Sequence, residues 1–160
     1  EQLVKVNTKV ILLICDEGKE EDAITRLARV GYDNTIGYLK GGILSWQNTG
    51  KEVDNLENIT AQKLEQILLL ETANIIDVRK SSEFETAHID RAANKPLSYI
   101  NDWFNSLSRD EKYYIHCAGG YRSIITISIL KARGFHHLIN IEGGYKSIAE
   151  TKIPIFASVV

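Results

Sequence analysis

The chain has 160 residues, 44% hydrophobic and 25% charged, the make-up of an ordinary globular protein with room for one full domain, or one domain plus a fragment. A formal net charge of -2 argues against nonspecific binding to nucleic acid or to a membrane surface, though a local basic pocket remains compatible with it. No apolar run approaches the ~18 residues of a membrane span, and no basic stretch followed by an apolar core marks a signal peptide.

In chain order, Ile11 to Cys15 is an apolar run suited to a buried strand. Gly18 follows, then a helix is predicted over 20–30 with Ala23, Leu27 and Val30 on one face. A strand is predicted over 35–39, and Gly41-Gly42 makes the next turn. Residues 51–58 are polar and acidic and read as a linker. A helix follows over 60–70, with Thr60 as N-cap, and a buried strand over 74–78. The segment 83–96 reads as a loop and 99–107 as a helix. The run Tyr113 to Cys117 is a second apolar strand ending in cysteine. A helix over 123–133 and a strand over 137–141 come next, before Gly143-Gly144. Alternating strands and helices with glycine-bearing turns predict an α/β fold with a mainly parallel sheet.

The series contains a repeat. Cys15 matches Cys117, Gly18 matches Gly120 and Gly41-Gly42 matches Gly143-Gly144, all at one offset of 102 residues. The second copy has about fifty residues of helix and strand before it, and the first has only a short lead. Residues 1–52 therefore read as the back half of a degenerate module, and 53–160 as a complete domain. A few elements without their sheet partners expose apolar faces and open edges, so residues 1–52 are expected to pack on the second domain or on another chain, with a homodimer as one form. The chain has no methionine, even at position 1, and reads as a piece cut from a longer protein.

Chemistry concentrates at Cys117, Ala118, Gly119, Gly120, Tyr121, Arg122 and Ser123. The cysteine ends a strand, where open α/β sheets place their ligands. Gly119 and Gly120 permit a sharp turn that aims successive backbone N–H groups at one point. The positive end of the following helix and the Arg122 charge add to this nest for an anion, whether thiolate, persulfide or oxyanion. Such surroundings lower a thiol pKa. Asp77 and Arg79 read as structural support: Asp77 accepts backbone hydrogen bonds and Arg79 pairs with Glu83. His116 points away from the nucleophile, because neighbouring strand residues face opposite ways. Two cysteines are too few for a disulfide framework and suit a reducing, cytoplasmic compartment. No His/Cys cluster has metal-ligand spacing, so neither metal nor cofactor is expected in this chain.

These residues resemble the rhodanese family. The loop from Cys117 to Ser123 is similar to its active-site loop, with arginine five positions after cysteine. Ile75 to Arg79 is similar to the family's strand ending in Asp-x-Arg. Glu83-Phe84 and Ala87-His88-Ile89 resemble later elements, followed by Ala92, Asn94 and Pro96-Leu97, and Glu142-Gly143-Gly144 is similar to the terminal turn. Ala87, Asp90, Arg91 and Ile148 depart from the usual glycine, proline, glycine and tryptophan. The resemblance runs in order over 58–156.

It implies a three-layer rhodanese-like domain with the active-site loop at 117–122, preceded by a partial second module. It also implies a sulfurtransferase, in which a Cys117 persulfide carries sulfane sulfur from thiosulfate or glutathione persulfide to a thiol or sulfite. Phosphatases and arsenate reductases of similar fold have Cys-x5-Arg. The Cys-x4-Arg loop of this chain is one residue shorter and disfavours that alternative. The other alternative is a non-catalytic sulfur carrier or docking module. In the first copy, Glu20 stands where the second has Arg122, and Asp16 and Glu17 flank Cys15. Negative charge there raises the thiol pKa and repels anionic donors. Gly31 to Trp46 is similar to the first rhodanese module of bacterial fusions that begin with a metallo-β-lactamase-fold persulfide dioxygenase. Such an upstream domain is therefore an expected partner.

Overall fold

The computed structural model describes residues 10–158. The chain divides between Asp54 and Asn55 into two compact units.

In the first unit, β1 (Ile11–Leu13) pairs in parallel with β2 (Thr35–Tyr38) across helix α1 (Glu20–Ala28), and α2 (Gly42–Asn48) follows the Gly41 turn. Helix α1 stops two residues short of the predicted end, and Val30 lies exposed beyond it. Strand alternation turns Ile11, Leu13 and Thr35 inward, leaving Leu12, Ile14, Ile36 and Tyr38 exposed on the other side.

The second unit runs β3 (Glu57–Ile59), α3 (Ala61–Leu70), β4 (Asn74–Asp77), α4 (Ser81–Thr86), β5 (Ala87–Ile89), β6 (Ala93–Asn94), α5 (Ile100–Trp103), β7 (Tyr113–His116), α6 (Tyr121–Lys131), β8 (Leu138–Ile141), α7 (Gly144–Ile148) and β9 (Ile155–Ala157). Single 3-10 turns flank α5. The main sheet is parallel throughout, in the order β3-β8-β7-β4-β6, and β5 pairs antiparallel with β9 apart from it.

Helix α3 begins where its cap chemistry dictates, with the Thr60 hydroxyl accepting from the Lys63 N–H at 3.2 Å. The central strands β4, β7 and β8 are buried on both faces, because helices cover both. Ile76, Ile115 and Leu138 pack with Trp103, Ile127 and Leu130 from α5 and α6 on one face. Ile75, Tyr114 and Ile139 pack with Ala61, Leu64 and Ile148 from α3 and α7 on the other. The result is three layers around two apolar clusters.

Four points depart from the expectations. The segment 83–96 is not one loop: it contains most of α4 and the short strands β5 and β6. The polar stretch 51–58 ends inside β3, which pairs in register with β8 from Glu57↔Ile139 to Ile59↔Ile141. Strand β9 was not foreseen. Elements of two or three residues show too little periodicity to read, and only their pairing partners make them strands. Helix α6 begins at Tyr121 rather than Ser123, and its buried face is Ser123, Thr126, Ile127 and Leu130. Among the described residues, no helix is long and apolar enough to cross a membrane.

Candidate active site

Cys117 lies one residue past β7, at the carboxyl end of the central strand. The turn into α6 needs a left-handed residue, and Gly120 supplies it with φ +107° as the helix N-cap. That conformation brings the Gly120 N–H to 3.1 Å from Cys117 Sγ. The Ser123 hydroxyl lies 3.7 Å from the same sulfur and also donates to the Gly120 carbonyl at 2.9 Å, closing the loop on itself.

Cys117 as a residue is only 1% exposed. Burial pushes its pKa up, but hydrogen bonds from the Ser123 backbone and hydroxyl and from the Gly119 and Gly120 amides outweigh it. The net result is a thiol below its ordinary value of 9.0. A lowered thiol under a ring of N–H donors is the arrangement of a stabilised sulfur anion. Ala118 sits between the thiol and the glycines, and Tyr121 projects into solvent at the first turn of α6.

The loop is braced from behind by α7. The Tyr145 N–H donates to the Cys117 carbonyl at 2.7 Å and the Lys146 N–H to the Ala118 carbonyl at 3.2 Å. This close approach explains Gly144, where a Cβ would collide with the Cys117 carbonyl oxygen. The same relation recurs in the first unit, where a Cβ on Gly42 would lie 2.7 Å from the Cys15 carbonyl oxygen.

The charged groups pair differently from the sequence expectation. Arg79 does not take Glu83 as its carboxylate. Its Nη2 donates to Asp77 and to the Ala87 carbonyl, its Nε lies 2.9 Å from Asp77 Oδ2, and its guanidinium stacks 3.9 Å above the Tyr145 ring. Asp77 Oδ1 also accepts the Arg79 N–H at 2.9 Å. Asn94 ties down the same turn by donating to the Asp77 and Arg79 carbonyls, both at 3.1 Å.

Glu83 instead takes Arg122. Nη1 donates to Oε2 at 2.7 Å and Nη2 to Oε1 at 2.9 Å. The hydrogen bonds and charge of Arg122 hold the Glu83 carboxyl down at about 2. Sequence reasoning singled out both residues but missed their pairing. The family-like Glu83-Phe84 element was the available signal.

His116 faces the α7 side of the sheet, away from the thiol. It is buried, with Nε2 3.8 Å from Asp77 Oδ2 and Nδ1 3.3 Å from the Cys117 carbonyl. In the first unit, Cys15 is half-buried. Burial first, then the charges of Glu20 and Asp16, raise its pKa, the opposite direction from Cys117. Among the described residues, no group of three His, Cys, Asp or Glu side chains could hold a metal ion.

The model of the rhodanese-like domain family matches residues 60–151, which include every one of these second-unit groups. The chain belongs to the rhodanese-like family. It is 36% identical over 76 residues to "Putative sulfur carrier protein YrkF" of Bacillus subtilis, covering 48% of this chain and 41% of that protein. It is 32% identical over 82 residues to "Probable adenylyltransferase/sulfurtransferase MoeZ" of Mycobacterium tuberculosis, covering 50% of this chain and 21% of that one. The matched rhodanese-like region thus spans less than half the length of these curated relatives. The crystal structure of a rhodanese-like domain protein from Staphylococcus aureus superposes with a TM-score of 0.58 at 34% identity, covering 64% of this chain and all of that one. The second unit's parallel sheet between helical layers is the rhodanese-like fold.

Proposed function

We propose that this rhodanese-like chain is a sulfurtransferase whose nucleophile is Cys117. The observation that carries the reading is the lowered thiol held by the Gly120 N–H and the Ser123 hydroxyl in a six-residue turn. The Cys117 thiolate attacks the terminal sulfur of thiosulfate or of an organic persulfide. A sulfur–sulfur bond forms to Cys117 as the donor's own sulfur–sulfur bond breaks, and sulfite or a thiolate leaves with the electron pair. The loop amides then hold the Cys117 persulfide until an acceptor thiolate, sulfite or cyanide takes the outer sulfur and restores the thiolate. No net oxidation occurs and no cofactor enters the cycle. The narrow loop suits a single terminal sulfur better than a tetrahedral phosphate, which argues against a phosphatase.

The test is thiocyanate formation from cyanide with thiosulfate or with glutathione persulfide. Turnover is expected from the native chain and none above background from Cys117→Ser; turnover retained in that variant overturns the mechanism.

A sulfur-carrier role without multiple turnover is the second reading, favoured by the burial of Cys117 and by the name of the Bacillus subtilis relative. It requires a mass increase of about 32 Da, one sulfur atom, on Cys117 without catalysis. The resemblance of Gly31 to Trp46 to fusion proteins adds a context, in which a metallo-β-lactamase-fold domain upstream would generate or consume the sulfur species. The full-length gene product decides that point.

A further inference from the structure

Arg122 is the one cationic side chain of the loop from Cys117 to Ser123, and its charge is not free. Both of its terminal nitrogens are engaged by Glu83, at 2.7 and 2.9 Å. Glu83 stays ionised at any pH above the acid range, because its carboxyl is held at about 2. The second guanidinium nearby, Arg79, is likewise committed to Asp77. Two arginines thus stand against two carboxylates, and a thiolate at Cys117 leaves this cluster with an excess of one negative charge. Arg122 sits in the first turn of α6, five positions after Cys117 in the same strand-to-helix loop. The pair is partly open to solvent, with Arg122 30% and Glu83 34% exposed. An incoming donor therefore meets a neutralised fork and not a bare cation.

We propose that Glu83 is a donor-selectivity residue: by neutralising Arg122, it tunes the Cys117 loop against dianionic sulfur donors such as thiosulfate and toward the singly charged sulfane end of an organic persulfide. The physical reason is the charge of the approaching group. Thiosulfate brings two negative charges toward the thiolate, its reaction expels a dianionic sulfite, and a free guanidinium would offset both. A persulfide brings one charge to the reacting sulfur and expels a thiolate, so it gains less from such a cation. This inference rests on the proposed sulfur-transfer reading and specifies its donor class.

The experiment compares kcat/KM for thiosulfate and for glutathione persulfide, with cyanide as the common acceptor and the Cys117→Ser rate subtracted as background. Glu83→Gln keeps an oxygen near Arg122 but removes the charge. It is expected to raise the thiosulfate-to-persulfide ratio by about tenfold, the size of one modest charge interaction. Glu83→Asp keeps the charge and is expected to stay closer to the native ratio. A ratio in folded Glu83→Gln that is unchanged or lower overturns the proposal.

The native protein supplies a second measurement that does not depend on the variant folding. With Arg122 neutralised, kcat/KM for thiosulfate is expected to stay flat or rise with added salt, because screening weakens only the repulsion from the thiolate. A steep fall with salt would reveal an unneutralised Arg122 and overturn the proposal. Absence of Cys117-dependent thiocyanate from either donor sinks the sulfur-transfer reading itself, an outcome distinct from an unchanged ratio.

Discussion

Arg122 and Glu83 stand 39 positions apart in sequence and meet fork to fork, each terminal guanidinium nitrogen donating to its own carboxylate oxygen. The contact joins the first turn of α6 to α4 and so ties the active-site loop to the segment after β4. Its electrostatic sign matters as much as its geometry. The loop's cation is paired with a protein carboxylate, and the largest contributions that lower the Cys117 thiol come from amides and a hydroxyl within the loop. Hydrogen bonds within the loop favour the ionised form of the Cys117 thiol.

The Ser123 hydroxyl supplies one of those hydrogen bonds and its removal is directly measurable. In Ser123→Ala, the midpoint of the pH profile for Cys117 alkylation is expected to move up, with the Ser123, Gly119 and Gly120 amides retained. In the native chain, peptide-resolved mass spectrometry should find Cys117 ionising at lower pH than Cys15, whose thiol is raised by burial and by Glu20 and Asp16. Identical pH profiles for the two cysteines would contradict the site geometry.

His116 predicts an acid-side loss of stability. Burial first, with a smaller contribution from Arg79, depresses its pKa below the ordinary 6.5, against the opposing pull of Asp77 and the Cys117 carbonyl. The folded protein therefore binds a proton there less readily than the unfolded chain does. The stabilisation is fully present above about pH 6.5 and is lost as pH falls toward the folded-state pKa, at no more than ~1.4 kcal/mol per pH unit. Urea midpoints measured between about pH 7.5 and 5.5 should fall less steeply in His116→Gln than in the native chain. Equal slopes would show that His116 does not contribute.

Gly144 is expected to tolerate no side chain. It has φ +59° and sits against the carbonyl of Cys117. Gly144→Ala must displace the Cys117–Ala118 backbone or the start of α7, costing the strain of a left-handed alanine, about 1 kcal/mol, and the collision in addition. Thermal melting and Cys117 alkylation measured together should both change. An alanine variant with native melting and native thiol reactivity would mean that the bracing contact is dispensable.

How much of this was legible beforehand differs by residue. Thr60 reads as a cap because capping involves residues three apart. Cys117, Gly120 and Ser123 read as one site because a strand-to-helix turn is made of consecutive residues, and the sulfur's hydrogen-bond donors are its own near neighbours. That His116 faces the opposite side of the sheet from Cys117 follows from strand alternation alone. The pairing of Gly144 with the Cys117 carbonyl was foreshadowed by the recurrence of Gly-Gly in both copies, although repetition cannot say what the glycines approach.

The amino-acid sequence by itself determined the family, the order of the longer strands and helices and the place of the Cys117 loop, since each is written in contiguous or periodic residues. Only the tertiary structure decided which carboxylate each arginine takes. Glu83 lies four positions from Arg79 and far from Arg122, yet it pairs with the distant one, while Arg79 turns back to Asp77. Charge pairing depends on through-space distance and shared burial, which chain separation does not encode. The same holds for β3 and β9, which are strands because β8 and β5 offer them hydrogen bonds.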